Sequence, residues 1–274
     1  MKVHSATSIQ GKRDYMEDRG SFLSHEDVFV AMVCDGHGGD SMSKSTASNL
    51  PIKLIKTHHR NKKSAPEIKA SKIRDDIIEW GNDNKLARSG TTVSGIVSDS
   101  DHLIIYNVGD SRTSVHLTKD GVVYFLKPIF DDNGKQITST IISEPTSFFT
   151  TKDHDGECNV EKDRINRCGG LLISDPAGTA RLNGALSVTR AFGDAGVGKG
   201  LDHTPDVYWI EKKHVNGPIL MYSDGLYEAI RKKNDPEIKH EIYHIAKKHG
   251  TDPLVKYAYD LGSGDNITAI LVGD

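Results

Sequence analysis

The sequence has few cysteines and no long apolar run. Its three cysteines, Cys34, Cys158 and Cys168, are odd in number and scattered, which argues against a disulfide framework and against the paired spacing of a zinc site. A mean hydropathy of -0.47 and the lack of an apolar run of about 18 residues exclude a transmembrane helix. The first residues, MKVHSATSIQGKRD, contain no apolar signal-peptide core. We therefore expect an intracellular, cytoplasmic protein with no membrane partner.

The sequence also has no surplus of basic residues and no linker-like tract. The 35 Lys and Arg residues are outnumbered by 38 Asp and Glu residues, and the net charge of -3 gives no electrostatic footprint for nucleic acid. No tract rich in Pro, Gly or Ser divides the 274 residues, a length near the upper limit for one hydrophobic core. We predict one domain, 1–274, that acts as a monomer without a nucleic-acid partner.

Short segments rich in Val, Ile, Thr and aromatic residues, bounded by Gly or Asp, predict a high content of strand. The predicted strands are 27–34, 92–98, 103–108, 113–118, 122–126, 218–223 and 267–272. Between two of them, Asp120 and Gly121 interrupt an alternating pattern in the way typical of a hairpin turn. We therefore expect antiparallel pairing and consider a parallel doubly wound sheet less favoured.

Helical periodicity appears at 68–87, 238–246 and 254–261. A further helix is expected after Asp40, which can cap it, with Pro51 limiting or kinking the helix. Strand-rich sheets with a few long helices favour an α+β layered sandwich. Segment 127–150 fits no clear element, so we interpret it as an insertion that carries an extra strand or hairpin arm.

Acidic residues stand repeatedly at the ends of predicted strands. The apolar runs VFVAMVC and PILMYS both stop at an Asp-Gly pair, at Asp35 and at Asp224. The run LIIYNVG stops at Asp110, and Asp265 immediately precedes ITAILV. Because strand ends are rigid, carboxylates held there suit hard cations.

The acids predict a particular kind of metal. Pairing of neighbouring strands could bring Glu17 and Asp18 beside Asp35. Four carboxylates, those of Glu17, Asp35, Asp224 and Asp265, would then repel one another strongly unless cations were present. Oxygen-only ligands indicate Mg²⁺ or Mn²⁺ and argue against Zn²⁺. Gly36 has no side chain, so its backbone carbonyl could approach a cation closely.

Nine ordered blocks of sequence resemble those of the PPM-type, or type-2C, metal-dependent serine/threonine protein phosphatases. The blocks are RDYMED, VCDGHGG, SGTT, NVGDSR, T-x-DH, R-I-x-x-x-G-G at 164–170, GALSVTRAFGD, SDGLYE and SGDNIT, and they run from Gln10 to Val272. A single Asp-Gly pair is no evidence for a family, but nine blocks in the same order are very unlikely to arise by chance. The resemblance implies a four-layer αββα sandwich of two mainly antiparallel sheets flanked by helices.

The resemblance also implies an activity and its cofactors. The activity is hydrolysis of phosphoserine and phosphothreonine in proteins by metal-activated water at a two-metal centre, with a phosphoprotein as the substrate partner. The implied metal ligands for the two Mg²⁺ or Mn²⁺ ions are Glu17, Asp35, the Gly36 carbonyl, Asp224 and Asp265. Asp35 is implied to bridge the two ions.

Five more residues acquire implied roles. Arg13 would bind the substrate phosphate, since a planar guanidinium can grip two oxygens at once. His37 would act as general acid toward the leaving oxygen, and Asp18 would orient the attacking water. Asp194 and Asn266 are expected to orient the metal ligands without binding the metal themselves.

Three features around this centre are less well defined by the resemblance. Asp153 in T-x-DH matches a third, looser metal site, although Asp-Gly-Glu follows the motif where the family usually has Lys-Pro. The mobile flap of the family falls at 195–206, which is short here and rich in glycine. The Asp110-Ser111-Arg112 segment is interpreted as a turn held by hydrogen bonds.

Several alternatives remain open from sequence. Cys158 and Arg164 match the C-x5-R spacing of cysteine-dependent phosphatases, although the acidic residues between them disfavour a thiolate and a phosphate dianion. The stretch 193–199 imitates a nucleotide-binding loop but lacks the following Ser or Thr. Thirteen dispersed histidines are interpreted as surface or ordinary hydrogen-bonded residues. The chain could also be a catalytically silent phosphoprotein-binding module, or could hydrolyse a small phosphomonoester.

Overall fold

The computed structural model describes residues 1–133, 136–231 and 238–274, with every side chain in these ranges except that of Ile137. The strands are β1 (Lys2–Ile9), β2 (Arg19–His25), β3 (Val28–Cys34), β4 (Gly36–His37), β5 (Gly90–Thr91), β6 (Val93–Ser98), β7 (His102–Val108), β8 (Arg112–Leu117), β9 (Val122–Phe130), β10 (Gln136–Pro145), β11 (Phe148–Thr150), β12 (Leu172–Ser174), β13 (Ala180–Leu182), β14 (Phe192–Gly193), β15 (Asp206–Glu211), β16 (Val215–Tyr222) and β17 (Ile267–Gly273). The helices are α1 (Ser41–Arg60), α2 (Pro66–Asp83), α3 (Asn159–Cys168), α4 (Asp224–Arg231), α5 (Ile238–His249) and α6 (Thr251–Asp260), and a 3-10 turn covers Lys212–His214.

Two antiparallel sheets form the centre of the molecule. One has five strands in the order β1-β17-β16-β8-β11, and the other has seven in the order β10-β9-β15-β7-β6-β3-β2. Two small sheets, β12-β13 and β14-β5-β4, lie outside them. The expected α+β sandwich of two antiparallel sheets is confirmed.

Three apolar layers hold the sandwich together, because successive side chains of a strand point to opposite faces. Along β3, Phe29, Ala31 and Val33 pack between the two sheets, against β8, β16 and β17. Val30 and Met32 point the other way, into a core with α1 and α2. A third core joins the five-stranded sheet to α4, α5 and α6. Each fully buried large aliphatic side chain contributes about 1.5–3 kcal/mol relative to exposure.

The hairpin predicted at Asp120-Gly121 was wrong. β8 pairs with β16 and β11 in one sheet, whereas β9 pairs with β10 and β15 in the other. Val115 of β8 and Val123 of β9 both lie in the core between the sheets. The turn therefore carries the chain across the sandwich, and the alternating pattern on its two sides reflects two facing sheets.

The helix predicted after Asp40 is present, with differences from expectation at Pro51 and Asp40. α1 is 20 residues long and contains Pro51, so the proline does not limit its length. Asp40 occupies the N-cap position without capping the helix through its side chain; its carboxylate instead accepts a hydrogen bond from Arg19, at 2.5 Å. The predicted arm within 127–150 is confirmed, because β9 and β10 pair along their length. No helix in the described ranges is long and apolar enough to cross a membrane.

Candidate metal centre

Three carboxylates converge where the strands of both sheets end. One oxygen of Asp35, one of Asp110 and one of Asp224 all lie within 4.8 Å of one another. Asp35 follows β3, Asp110 lies between β7 and β8, and Asp224 follows β16 by two residues. The two sheets thus contribute to a single acid cluster, which we define as these three residues.

The environment of the acid cluster disfavours negative charge. Burial, followed by the charges of Asp224, Asp18 and Asp110, raises the pKa of Asp35 well above its usual range. Burial, and then the charges of Asp224 and Asp153, does the same to the pKa of Asp110. Oδ1 of Asp224 is buried and accepts no hydrogen bond from the described residues. Divalent cations fit this donor set, since they supply both the missing partner and the opposing charge.

Gly36 lies against the loop that carries Glu17. A Cβ at Gly36 would collide with the backbone oxygen of Glu17 and the hydroxyl of Ser43, so no larger residue fits there without a shift. The carboxylate of Glu17 lies outside the acid cluster and accepts a hydrogen bond from the backbone N–H of Gly39, at 2.5 Å. The Glu17 N–H donates to Oδ1 of Asn266 at 2.8 Å. Asn266 therefore positions the Glu17 loop through the backbone.

Arg13 and Asp265 form an ion pair at the mouth of the cleft. Nη2 of Arg13 lies 2.6 Å from Oδ2 of Asp265, and about half of the Arg13 side chain is exposed. Both residues line a cleft of about 260 Å³ together with the acid cluster and His37. A guanidinium at this edge can meet an anion that enters the cleft.

Asp18 lies buried beneath the cleft. Its carboxylate accepts a hydrogen bond from the hydroxyl of Ser223 at 2.8 Å. Burial raises the pKa of Asp18 to about 7, with Asp224 and Asp265 adding repulsion, although hydrogen bonds from Thr268 and Ser223 act in the opposite direction. Asp18 thus adds a fourth acidic side chain close to the centre.

His37 and Asp194 are hydrogen-bonded to each other on the wall of the cleft. Nε2 of His37 lies 2.5 Å from Oδ2 of Asp194, whose backbone has a positive φ of 49°. Gly90 packs against this pair so closely that a Cβ there would collide with both side chains. The small residue is therefore needed for the approach of Asp194 to His37.

Asp153 is paired with an arginine, whereas Asp110 belongs to the acid cluster. Both oxygens of Asp153 accept hydrogen bonds from Arg112, whose guanidinium also lies 3.3 Å from the ring centroid of Tyr227. A third cation at Asp153 would have to share that carboxylate with Arg112. Asp110, which the sequence predicts to hold a turn, also contributes its carboxylate to the acid cluster. The strand-end signal that identified Asp35 also applied to Asp110.

The arrangement required of a cysteine phosphatase is not present at Cys158. Cys158 occupies the N-cap of α3, so the residues that follow it are helical and do not form a phosphate-binding loop. Arg164 lies inside the helix, buried, and donates to Glu161 at 2.7 Å. Gly193 is the first glycine of the stretch 193–199, which matches part of a nucleotide-binding loop pattern. In the structure it pairs with Gly90 in a short strand. Neither pattern from sequence therefore forms a competing phosphate site.

Comparison with known proteins identifies the family. The protein phosphatase 2C family model matches residues 3–267. Probable protein phosphatase 2C 11 of Arabidopsis thaliana is 30% identical over 97% of this chain and 65% of its own length. Probable protein phosphatase 2C 76 of the same plant is 27% identical over 97% of this chain and 57% of its own length. The chain thus spans less than two thirds of either relative.

Solved structures show the same fold. A serine-threonine phosphatase 2C from Toxoplasma gondii superimposes with a TM-score of 0.69 at 20% identity, covering 97% of this chain and 93% of that one. A sex determining protein of C. elegans gives a TM-score of 0.68 at 18% identity, covering 99% of this chain and 64% of that one. With the family match extending from residue 3 to residue 267, the chain belongs to the protein phosphatase 2C family.

Proposed function

We propose that this chain hydrolyses phosphoserine and phosphothreonine in proteins, and that the reaction depends on Mg²⁺ or Mn²⁺. The observation that carries the proposal is the acid cluster of Asp35, Asp110 and Asp224, which opens into the same cleft as Arg13 and His37. Crowded buried carboxylates are costly without cations, so this part of the cleft is built to receive them.

The proposed ligands for two ions include one residue beyond the initial set. They are Glu17, Asp35, the Gly36 carbonyl, Asp110, Asp224 and Asp265. When bound, divalent cations offset phosphate charge and lower the pKa of water toward neutrality. Asn266 supports this set through its hydrogen bond to the Glu17 backbone. Asp18, buried beside Ser223, would orient the attacking water.

Arg13 and His37 would act on the substrate itself. The guanidinium of Arg13 reaches the cleft from a half-exposed position and can bind two phosphate oxygens, in place of its contact with Asp265. The imidazole of His37 can give a proton to the departing serine or threonine oxygen. Asp194 orients that imidazole through the contact between Oδ2 and Nε2.

We also propose that 1–274 form one monomeric catalytic domain, with 127–150 as an insertion and 195–206 as a short flap beside the cleft. All three cysteines are free, which supports action in a reducing compartment such as the cytoplasm. One rice relative is named as mitochondrial. Fractionation of cells that express the chain would distinguish the cytoplasm from an organelle.

The test is turnover of a phosphothreonine peptide beside a phosphotyrosine peptide, each with Mn²⁺ and with excess EDTA. We expect Mn²⁺-dependent release of phosphate from phosphothreonine and little from phosphotyrosine. Binding of the phosphopeptide without turnover would indicate a silent binding module. Turnover of small phosphomonoesters alone would assign a metabolite as the substrate.

A further inference from the structure

Three histidines meet on the outer face of the five-stranded sheet. His116 lies in β8, and His240 and His244 lie in α5, the helix that packs on this face. A ring nitrogen of each histidine lies within 4.8 Å of a ring nitrogen of the other two. None of these residues belongs to the acid cluster.

The fold accounts for the convergence. Val115 and Leu117 point into the core between the sheets, so His116 projects from the opposite face, toward α5. His240 and His244 are four residues apart and therefore share one face of that helix. The ring of His116 lies 5.6 Å from that of His240 and 5.3 Å from that of His244, between centroids. Strand and helix thus present three imidazoles to one point.

His116 has the hydrogen bonding of a ligand histidine. Its ring forms a hydrogen bond with the backbone of Ser147, whereas Nε2 is buried and has no hydrogen-bond partner among the described residues. Ligand histidines commonly use one ring nitrogen for a backbone carbonyl, which fixes the tautomer and leaves the other nitrogen for the metal. A buried imidazole nitrogen left without a partner is costly, so it requires an explanation.

The electrostatic surroundings favour a neutral imidazole at this position. Burial, and then the charges of His244, His240 and Lys247, lowers the pKa of His116. Lys247 opposes a cation on the same face, but its ammonium lies on a long flexible side chain at an exposed position.

We propose that His116, His240 and His244 bind a zinc ion that fastens α5 to β8. Imidazole nitrogens suit Zn²⁺, Cu²⁺ or Ni²⁺, whereas the oxygen ligands of the acid cluster suit Mg²⁺ and Mn²⁺, so the two sites select different metals. Three histidines fill three of the four tetrahedral positions, and water takes the fourth. Nitrogens around zinc lie about 3.3 Å apart, so the His240 and His244 side chains must rotate slightly to bring the three ring nitrogens from within 4.8 Å to that spacing.

The alternative is simple packing of aromatic rings. Phe148 and Tyr243 also contact His116, at centroid distances of 4.7 and 4.5 Å, so the histidines could be part of an apolar cluster. Packing alone predicts no affinity for Zn²⁺. Replacement of the exposed His244 separates the two explanations with little risk to folding.

The experiment is equilibrium dialysis of the purified chain against Zn²⁺ with excess Mg²⁺ present, using wild type, His244→Ala and His249→Ala. His249 is the matched control, since it is exposed on the same helix and lies outside the histidine group. We expect wild type and His249→Ala to bind one more Zn²⁺ than His244→Ala, with affinity at that site weakened at least about 100-fold by the substitution. Any Zn²⁺ that enters the acid cluster is common to all three proteins and cancels.

A second readout follows the melting temperature. Zn²⁺ at about 100 times its Kd should raise the melting temperature of wild type and His249→Ala by roughly 5 °C more than that of His244→Ala. His240→Gln, which keeps a polar side chain of similar length, should behave like His244→Ala. Equal Zn²⁺ stoichiometry and equal stabilisation in wild type and both cluster variants would overturn the proposal.

Discussion

His37 and Asp194 are joined by a short contact across the cleft wall, with 2.5 Å between Nε2 and Oδ2. The carboxylate is nearly buried, whereas about a quarter of the His37 side chain is exposed toward the cleft. Gly90 leaves the space in which they meet. A buried carboxylate paired with a partly exposed imidazole can orient a proton donor.

The proton-donor role predicts a dependence on the leaving group. His37→Ala should slow hydrolysis of a phosphothreonine peptide by about 100-fold or more, and that of nitrophenyl phosphate much less, because a nitrophenolate departs without a proton. Asp194→Asn should give a smaller loss with the same selectivity. Turnover should be compared on both substrates, for the single variants and the double variant. Equal losses on both substrates would remove His37 from the acid role.

Arg13 is predicted to act mainly in binding. Arg13→Ala should raise the Michaelis constant by about 10- to 100-fold for peptide and aryl substrates alike, since a charge-assisted hydrogen bond contributes about 1.5–3 kcal/mol. Arg13→Lys is the matched control, which keeps the charge but loses the planar fork. Initial rates over a range of substrate concentrations separate the Michaelis constant from the turnover number. An effect on turnover alone would contradict ground-state binding by Arg13.

Cys158 should be dispensable for turnover. Its position at the start of α3 gives it no phosphate-binding loop, so Cys158→Ser should retain phosphothreonine hydrolysis within about twofold of wild type. Activity should be measured with Mn²⁺ and with EDTA after the melting temperature is checked. Loss of all activity in a folded Cys158→Ser protein would support a thiolate mechanism instead.

A buried ion-pair network predicts how stability depends on pH. Glu161 accepts hydrogen bonds from Arg164 at 2.7 Å and from Arg190 at 2.5 Å. Burial would raise the pKa of Glu161, but the charges of Arg190 and Arg164 prevail and lower it well below its usual value of 4.5. The stabilisation is therefore complete above pH 4.5 and is lost as the pH falls toward the lowered value.

Glu161→Gln should lower the free energy of unfolding at pH 7 by about 3–5 kcal/mol, because it removes the carboxylate charge that two buried guanidinium groups share. Its melting temperature should also fall less than that of wild type between about pH 5 and pH 3. Glu157→Gln is the control, since Glu157 is exposed and pairs only loosely with Lys162, at 3.4 Å. Parallel pH profiles for wild type and Glu161→Gln would refute the role of this network.

Some of the fold could be predicted because its signals are local. β3, β7 and β17 are short apolar runs bounded by Gly or Asp, and they were predicted to within one or two residues. β1 was missed because its sequence, KVHSATSI, is largely polar, and its partner β17 lies at the other end of the chain. β15 was also missed. Pairing between distant segments decides such strands, and single-sequence patterns do not contain it.

In the candidate site, too, local signals could be predicted and long-range contacts could not. Asp35 and Asp224 follow apolar runs on an Asp-Gly pair, so the sequence placed them at strand ends that meet in the structure. Asp110 carried the same signal, but its neighbours Ser111 and Arg112 favoured a turn. The contact of Arg112 with Asp153 was not predictable, because it joins β8 to a segment 41 residues further along the chain. The grouping of His116 with His240 and His244 of α5 was not predictable either, because it also joins segments far apart in the chain.

The central claim is that the acid cluster holds the cations on which hydrolysis depends. The most direct measurement is bound Mn²⁺ and phosphothreonine turnover, determined together for wild type and Asp35→Asn. We expect Asp35→Asn to bind fewer Mn²⁺ ions, to lose turnover roughly 1000-fold, and to melt no lower than metal-free wild type, because one repelling charge is gone. Wild-type Mn²⁺ content with near-normal turnover in Asp35→Asn, or wild-type turnover undiminished in excess EDTA, would contradict the account.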